Sequence, residues 1–412
     1  MMTLKPRKLY SGILTGLVLL YFLSLLLHIS ANFEQYQWDF RTHRQAGAIF
    51  IAGGDPYDAD TLFAEARTHL LYTYPPVSLL FYGLFSLIEY KTAFHIFLFF
   101  KSALLLALVY FWQREFLRKK TEVLFYAFCL LAFNSPAYRD IIAGNINLVE
   151  QALLWLAFFF YLKHRLLLFC VLVLTAASFK MLPAFFLVML LIGDHEKKYH
   201  YFFGAGAAFL AYLLVQYLIA PDMFAGFLKN ASQVVRERGE VTPATYTFIR
   251  DVFRLLAANF GLNAPKSLQA FAAAGAAAAV IFFSGKALVR LRSIKPEAEE
   301  KMVLFLVCLV YGLIHPRFKD YAYMLLLVPA YFIVLNARYA KAMPFILILC
   351  LLTSPEFVLP GTVSLFQTFW KFYPLMVAYA IWGLYLHEIS MATKQANRTD
   401  KRAKRGRGAF LK

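Results

Sequence analysis

The stretch YPPVSLLFYGLFSLIEY, residues 74–90, decides how the chain threads through its surroundings. It is an apolar run almost long enough to cross a bilayer. If it crosses, the count of crossings is odd and the two chain ends lie on opposite sides. Charge placement decides against a crossing. With Lys5, Arg7 and Lys8 cytoplasmic and 74–90 lying along the outer surface, the segments QREFLRKKTE, KHR, HEKKYH, GKALVRLRSIKPEAEEK and NARYAKA all fall inside, as does the tail KRAKRGRGAFLK. Short loops rich in Lys and Arg belong on that face. A crossing at 74–90 sends REFLRKK and the later basic loops outward. The Pro-Pro start also suits a helix that begins at an interface.

Composition places the whole chain in a membrane. Of 412 residues 61% are hydrophobic, with 43 Phe and 25 Tyr, and the mean hydropathy is +0.58. Soluble domains typically run about 45–50% apolar. Apolar runs occur near 10–30, 92–112, 122–136, 146–162, 166–180, 182–193, 200–219, 267–289, 302–315, 320–335, 342–358 and 369–388. The expectation is an all-α, polytopic protein of the cell (inner) membrane with about twelve spans, some shorter than the usual ~20 residues. Both termini are then cytoplasmic. The first run exceeds the ~7–15 residues of a signal-peptide core and reads as an uncleaved span. The net charge of +18 does not call for nucleic acid, because the basic residues collect between apolar runs and in the tail. Cys129, Cys170, Cys308 and Cys350 lie within apolar runs, as buried small hydrophobes do, without disulfide or metal-ligand spacing. Residues 1–393 form one expected domain, with outward loops at 31–91, carrying interfacial helices, and at 220–266. Residues 394–412 are a basic cytoplasmic tail, expected to be disordered and drawn to anionic lipid.

The outward loops carry more chemistry than connectors need. WDFRTHRQAGAIFIAGGDPYD (38–58) supplies Asp39, Arg41, His43 and Arg44. SPAYRDIIAGNIN adds Arg139, Asp140, Asn145 and Asn147; SFKMLP adds Lys180; HPRFKDY adds His315, Arg317, Lys319 and Asp320. Arg236, Arg238, Arg250 and Arg254 follow from RERGEVTPATYTFIRDVFR. Ionisable groups at the edge of hydrocarbon are costly and mark function. Each has a plainer reading beside it. Asp39 can cap a helix starting near Phe40, Lys180 can snorkel, and His315 can end a helix. Arg139 and Asp140 can form a loop pair, and the arginines at 236–254 can line a solvated helix face. GGDPYD is a turn, and Asp58-Ala59-Asp60 reads as a helix cap in preference to a divalent-metal pair.

In series, the Asp-Phe after the first span, AGGDPYD, the YPP at 74–76, AGNINLV (143–149), TAASFKMLPAFFL (175–187) and HPRFKDY (315–321) resemble glycosyltransferase family 87. That family comprises polyprenol-phosphate-mannose-dependent α-mannosyltransferases of the GT-C superfamily. The resemblance covers residues 10 to about 335. Asn145 stands where many members have Gln, and PRFKDY replaces a tryptophan-containing late motif. The resemblance implies a GT-C fold and an inverting transfer of sugar, mannose first, from a polyprenyl phosphate to a lipid-linked or other periplasmic or exterior glycan acceptor, with no cofactor. It maps the catalytic acid residue onto Asp39 and the phosphate-binding cations onto Lys180 and His315. Arg317, Asn145, Arg41, Arg139, Tyr74 and Arg250 are the further substrate-binding candidates.

The residue types suit that chemistry. A hydroxyl attacking an anomeric carbon needs a positioned carboxylate to take its proton. The departing phosphate gains charge that fixed cations stabilise best where water is sparse. Two other function classes remain on the sequence alone. A flippase or transporter of a lipid-linked sugar would place polar groups at mid-membrane depth, with Lys101, Gln151 and Gln216 as candidates. A structural subunit leaves the outward clustering without a cause.

Overall fold

The computed structural model describes residues 6–117, 123–193, 195–233, 241–292, 299–335, 347, 350–351 and 369–409. Among these every regular element is helical. Five helices are long and apolar enough to cross a membrane: Gly12–Ala31, Tyr90–Phe116, Lys198–Ile219, Lys266–Leu291 and Tyr373–Thr393. These mark a membrane protein. Shorter apolar helices cover Val123–Asn134, Asn147–Leu162, Leu166–Phe179, Leu182–Ile192 and Asp320–Val334. Most of the run 342–358, and Arg236 and Arg238, lie outside the described residues. The described chain divides into two compact units, Met1–Leu131 with Ser135–Glu237, and Ala132–Asn134 with Arg238–Lys412.

The first unit opens with α1 (Pro6–Ala31), α2 (Trp38–Ile51), α3 (Ala59–Ala66), α4 (Ser78–Ser86) and α5 (Tyr90–Phe111). Helix α4 has nine residues, about 13 Å at 1.5 Å per residue, against a hydrocarbon core of about 30 Å. It packs on α2 where two glycines meet. A Cβ on Gly47 would lie 2.6 Å from the backbone N of Gly83, so Gly47 has no room for a side chain. Between α2 and α4 the turn residues act as scaffold. Asp55 Oδ1 accepts from the Tyr57 backbone N at 2.9 Å, and Asp58 caps α3 through Thr61 N and Oγ1. Those two bonds hold the Asp58 carboxyl below its ordinary pKa. The Tyr57 hydroxyl then donates to the carbonyl of Tyr74 at 2.8 Å.

The unit continues through α6 (Val123–Leu131), α7 (Pro136–Ala143), α8 (Asn147–Leu162), α9 (Leu166–Phe179), α10 (Val188–Ile192), α11 (Lys198–Ile219) and α12 (Pro221–Gln233). Helices α8 and α9 form a hairpin, turned at His164, whose φ is +56°. Helix α11 leaves Leu210, Leu218 and Ile219 exposed, as a lipid-facing surface requires. Two amides from the last helices staple the first loop. Asn230 on α12 donates to the carbonyls of Tyr57 and Tyr72 at 3.0 and 3.2 Å. Gln216 on α11 accepts from Val77 N at the start of α4.

The second unit contains α13 (Thr245–Phe260), α14 (Lys266–Leu291), α15 (Glu299–Ile314), α16 (Leu327–Val334) and α17 (Tyr373–Ala409). Its core is tied by phenols that donate to proline carbonyls, Tyr323 to Pro243 and Tyr385 to Pro329. The expectation of a disordered tail is corrected here, because α17 runs without a break to Ala409. Ala, Lys, Arg and Gln are good helix formers, and a helix already nucleated by packing extends at one bond per residue.

Gly144, after α7, combines a φ of +68° with a close approach. A Cβ there would meet Gln37 Cβ at 2.8 Å and Phe40 Cβ at 2.9 Å. Gly144→Ala therefore adds a left-handed penalty of about 1–2 kcal/mol to overpacking of about 1–3 kcal/mol. Gly53 has a φ of +80°, and a Cβ added there would meet no atom within 4 Å, so Gly53→Ala carries the backbone penalty alone. Thermal unfolding in detergent should show a clearly lower Tm for Gly144→Ala than for Gly53→Ala; equal shifts would remove the packing argument.

Candidate active site

Helix α2 begins at Trp38, and its cap residue Gln37 is left-handed and makes no side-chain cap bond. Asp39 thus lies inside the first turn instead of capping it. The reason is a backbone tie, in which Gln37 N donates to the carbonyl of Ile142 at 2.6 Å. That bond lays the start of α2 against the end of α7, where Gly144 leaves room. The next residue, Asn145, then reaches Asp39.

Asn145 uses its whole hydrogen-bonding capacity. Its Nδ2 donates to Asp39 Oδ2 at 2.6 Å and to the Tyr74 hydroxyl at 3.0 Å. Its Oδ1 accepts from Lys180 Nζ at 3.1 Å and from Asn147 N at 3.0 Å. An amide has two donors and two acceptor lone pairs, and each finds a partner here. The Asn147 bond also satisfies one of the unpaired N–H groups at the start of α8. One side chain thereby joins a carboxylate from α2, an ammonium ion from the end of α9, and the phenol of the YPP segment. Asp39, Tyr74 and Asn145 are all buried.

Lys180 emerges where α9 ends in extended backbone. Its Nζ is 3.2 Å from Glu150 Oε2 and 5.9 Å from the centre of the Tyr74 ring. This is not a lysine snorkelling to water, since its side chain is only 18% exposed. Glu150 sits in the first turn of α8, where the helix dipole favours an anion. Around the cluster, the ring of His43, one turn along α2 from Asp39, packs against Tyr72, Tyr74 and Tyr82. Burial pushes the Tyr57, Tyr72 and Tyr82 phenols well above their ordinary range, so they remain neutral.

The structure therefore brings together Asp39, Tyr74, Asn145 and Lys180. Arg41 is turned to other work. It donates to the Glu34 carbonyl and to the Tyr90 hydroxyl, with its guanidinium 5.3 Å from the Tyr90 ring centre. Arg44 closes the end of α4 by donating to the carbonyls of Phe85 and Ile88. Asp140 is not half of an exposed loop pair with Arg139, for it is fully buried and lies 2.6 Å from Lys101 Nζ. His315, Arg317 and Arg250 belong to the second unit. There His315 Nδ1 accepts from Arg317 N at 2.9 Å, just past the end of α15. Arg250 is buried beside Asp251 at 3.3 Å, which differs from a solvated helix face.

Glu150 was not among the sequence candidates, although an acidic residue inside NLVEQALLWL demands a cation. The arrangement holds a carboxylate and a cation on one amide beside aromatic rings. Its stability should depend on the central amide. Asn145→Leu keeps the volume but leaves a buried carboxylate and ammonium short of partners, at a cost of about 2–4 kcal/mol. A Tm matching wild type in detergent would show that the amide is dispensable.

The family model of glycosyltransferase family 87 matches residues 72–316. The match takes in Tyr74, Asn145, Lys180 and His315; Asp39 precedes it and Arg317 follows it. No curated protein and no solved structure gave a match. Because the matched segment covers more than half of the 412 residues, the chain belongs to glycosyltransferase family 87.

Proposed function

We propose that this glycosyltransferase moves a sugar, mannose first, from a polyprenyl-phosphate carrier to a lipid-linked or other outward-facing acceptor, with inversion at the anomeric carbon. The observation that supports this reading best is the single amide of Asn145, which holds the Asp39 carboxylate and the Lys180 ammonium in one buried cluster. In the proposed reaction an acceptor hydroxyl attacks the anomeric carbon as the bond from that carbon to the phosphate oxygen breaks. The hydroxyl proton passes to Asp39. The departing carrier becomes a phosphomonoester with one more negative charge, and Lys180 meets it. The resemblance assigns His315 to the same phosphate, and Arg317 is a further candidate for it.

A carrier with an isoprenoid tail keeps its phosphate at the lipid boundary, which suits a cluster built where helices surface. We extend the proposal to a GT-C fold with residues 1–393 as one catalytic domain, about twelve spans, both termini cytoplasmic and the site facing the exterior. The flippase alternative loses two of its candidate groups to structural tasks. Lys101 is sealed against Asp140, and Gln216 caps the start of α4.

Incubating membranes with a panel of polyprenyl-phosphate sugars, and reading new glycolipid by mass spectrometry, tests donor and acceptor together. Asp39→Asn should lower kcat by about 10²–10⁴-fold with expression unchanged, and undiminished turnover would remove Asp39 as the base. In Lys180→Ala, a charge-assisted contact to the phosphate is lost, so kcat/KM for the donor should fall by roughly 10–100-fold. Wild-type values of both kcat and donor KM would contradict the phosphate role.

A further inference from the structure

One buried cation has no part in the chemistry proposed above. Lys101 lies in the middle of α5, in the run FLFFKSALLL, and its side chain is fully buried. Its Nζ lies 2.6 Å from Asp140 Oδ2. It also donates to the carbonyl of Asp140 at 2.6 Å and to the carbonyl of Asn145 at 2.7 Å. An ammonium group has three donors, and here all three go to the two ends of one short segment.

That segment is the last turn of α7 and the left-handed Gly144 that follows it. The Asp140 carbonyl already accepts from Gly144 N at 3.0 Å, so the lysine from another helix adds a second donor there and a donor to the Asn145 carbonyl beyond the helix end. A charge placed this deep is costly unless both its charge and its donors are matched. Asp140 matches the charge, and the two carbonyls match the remaining donors. Asp140 alone would suffice to neutralise Lys101. The bond to the Asn145 carbonyl does something more, because it fixes the backbone of the residue whose side chain holds Asp39 and Lys180.

We infer that Lys101 is a positioning residue, which clamps the 140–145 segment so that the Asn145 amide meets Asp39 and Lys180 in register. The inference rests on the reading of Asp39 as the base, and it separates from that reading by experiment.

The test compares wild type with Lys101→Met, Asp140→Leu and the double variant carrying both. Each single variant strands one buried charge and should lose thermal stability. The double variant removes both charges at similar volume, an exchange that is often neutral or stabilising, and should regain most of the Tm lost by the single variants, short of wild type by the lost donor to the Asn145 carbonyl. If Lys101 positions Asn145, the double variant still turns over at least about tenfold more slowly. That loss disappears when the same pair is introduced into Asn145→Ala, because the clamp then has no amide to hold. Recovery of turnover together with Tm would overturn the inference, as would a loss that adds in full to that of Asn145→Ala.

Amide hydrogen exchange provides a readout independent of activity. Residues 143–147 should exchange faster in the double variant, with α11 unchanged; unaltered exchange at 143–147 overturns the clamp even if no donor is ever turned over. Should the double variant not fold, Lys101→Met alone, which removes the bond to the Asn145 carbonyl, is read by the same exchange with the same two outcomes. Wild-type membranes that transfer no sugar from any donor would sink the enzymatic reading and leave the exchange result to stand alone.

Discussion

A carboxylate and an ammonium ion held away from water each need hydrogen-bonding partners beyond their mutual attraction. In this protein Asn145 serves both ions, and Glu150 is a second partner of the ammonium. Asn145 donates to Asp39 and accepts from Lys180, so the two ions are bridged at a fixed spacing instead of collapsing onto each other. With the amide between them, Asp39 is kept apart from Lys180, whose direct ion partner is Glu150 at 3.2 Å. The position of α2, the end of α7, the YPP segment and the end of α9 all follow from serving that one side chain.

The crowded first loop makes sense in the same terms. Of its charged residues only Asp39 joins the Asn145 amide. Arg41 and Arg44 fasten α2 to Tyr90 and to the end of α4. Asp55 and Asp58 shape the turn that brings Tyr57 under Tyr74. The glycine contact between α2 and α4 removes the side chains that would hold the helices apart. A loop with so many polar groups is therefore largely a frame, and its one inward carboxylate is set by that frame.

The sequence reveals the helical class and the membrane setting because apolar runs leave a long-range signal in composition, and eleven of the twelve runs named from it coincide with helices among the described residues. The family was legible from ordered short motifs. Asp39, Tyr74, Asn145 and Lys180 stood among nine candidates, each in or beside one of the ordered motifs. Who pairs with whom was not legible. Asp140 follows Arg139 in sequence, and adjacency suggested a loop pair, yet its partner comes from 39 residues upstream. Arg41 and Lys180 carry the same charge and only tertiary structure gives them different tasks. The tail was misread because a high density of charge looks the same in a solvated coil and in a helix continued from a packed segment.

The two carbonyls that Asn230 holds, those of Tyr57 and Tyr72, belong to the opposite end of the first unit. The longer-range of those contacts, to Tyr57, closes across 173 residues and the other across 158. At roughly 5–20 residues per second of synthesis, the first loop waits on the order of 10–30 s for its staple to leave the ribosome. During that interval its aromatic residues have already been made, with their final partner still to come. Biogenesis of this chain thus includes an interval in which the first loop is made but not yet stapled.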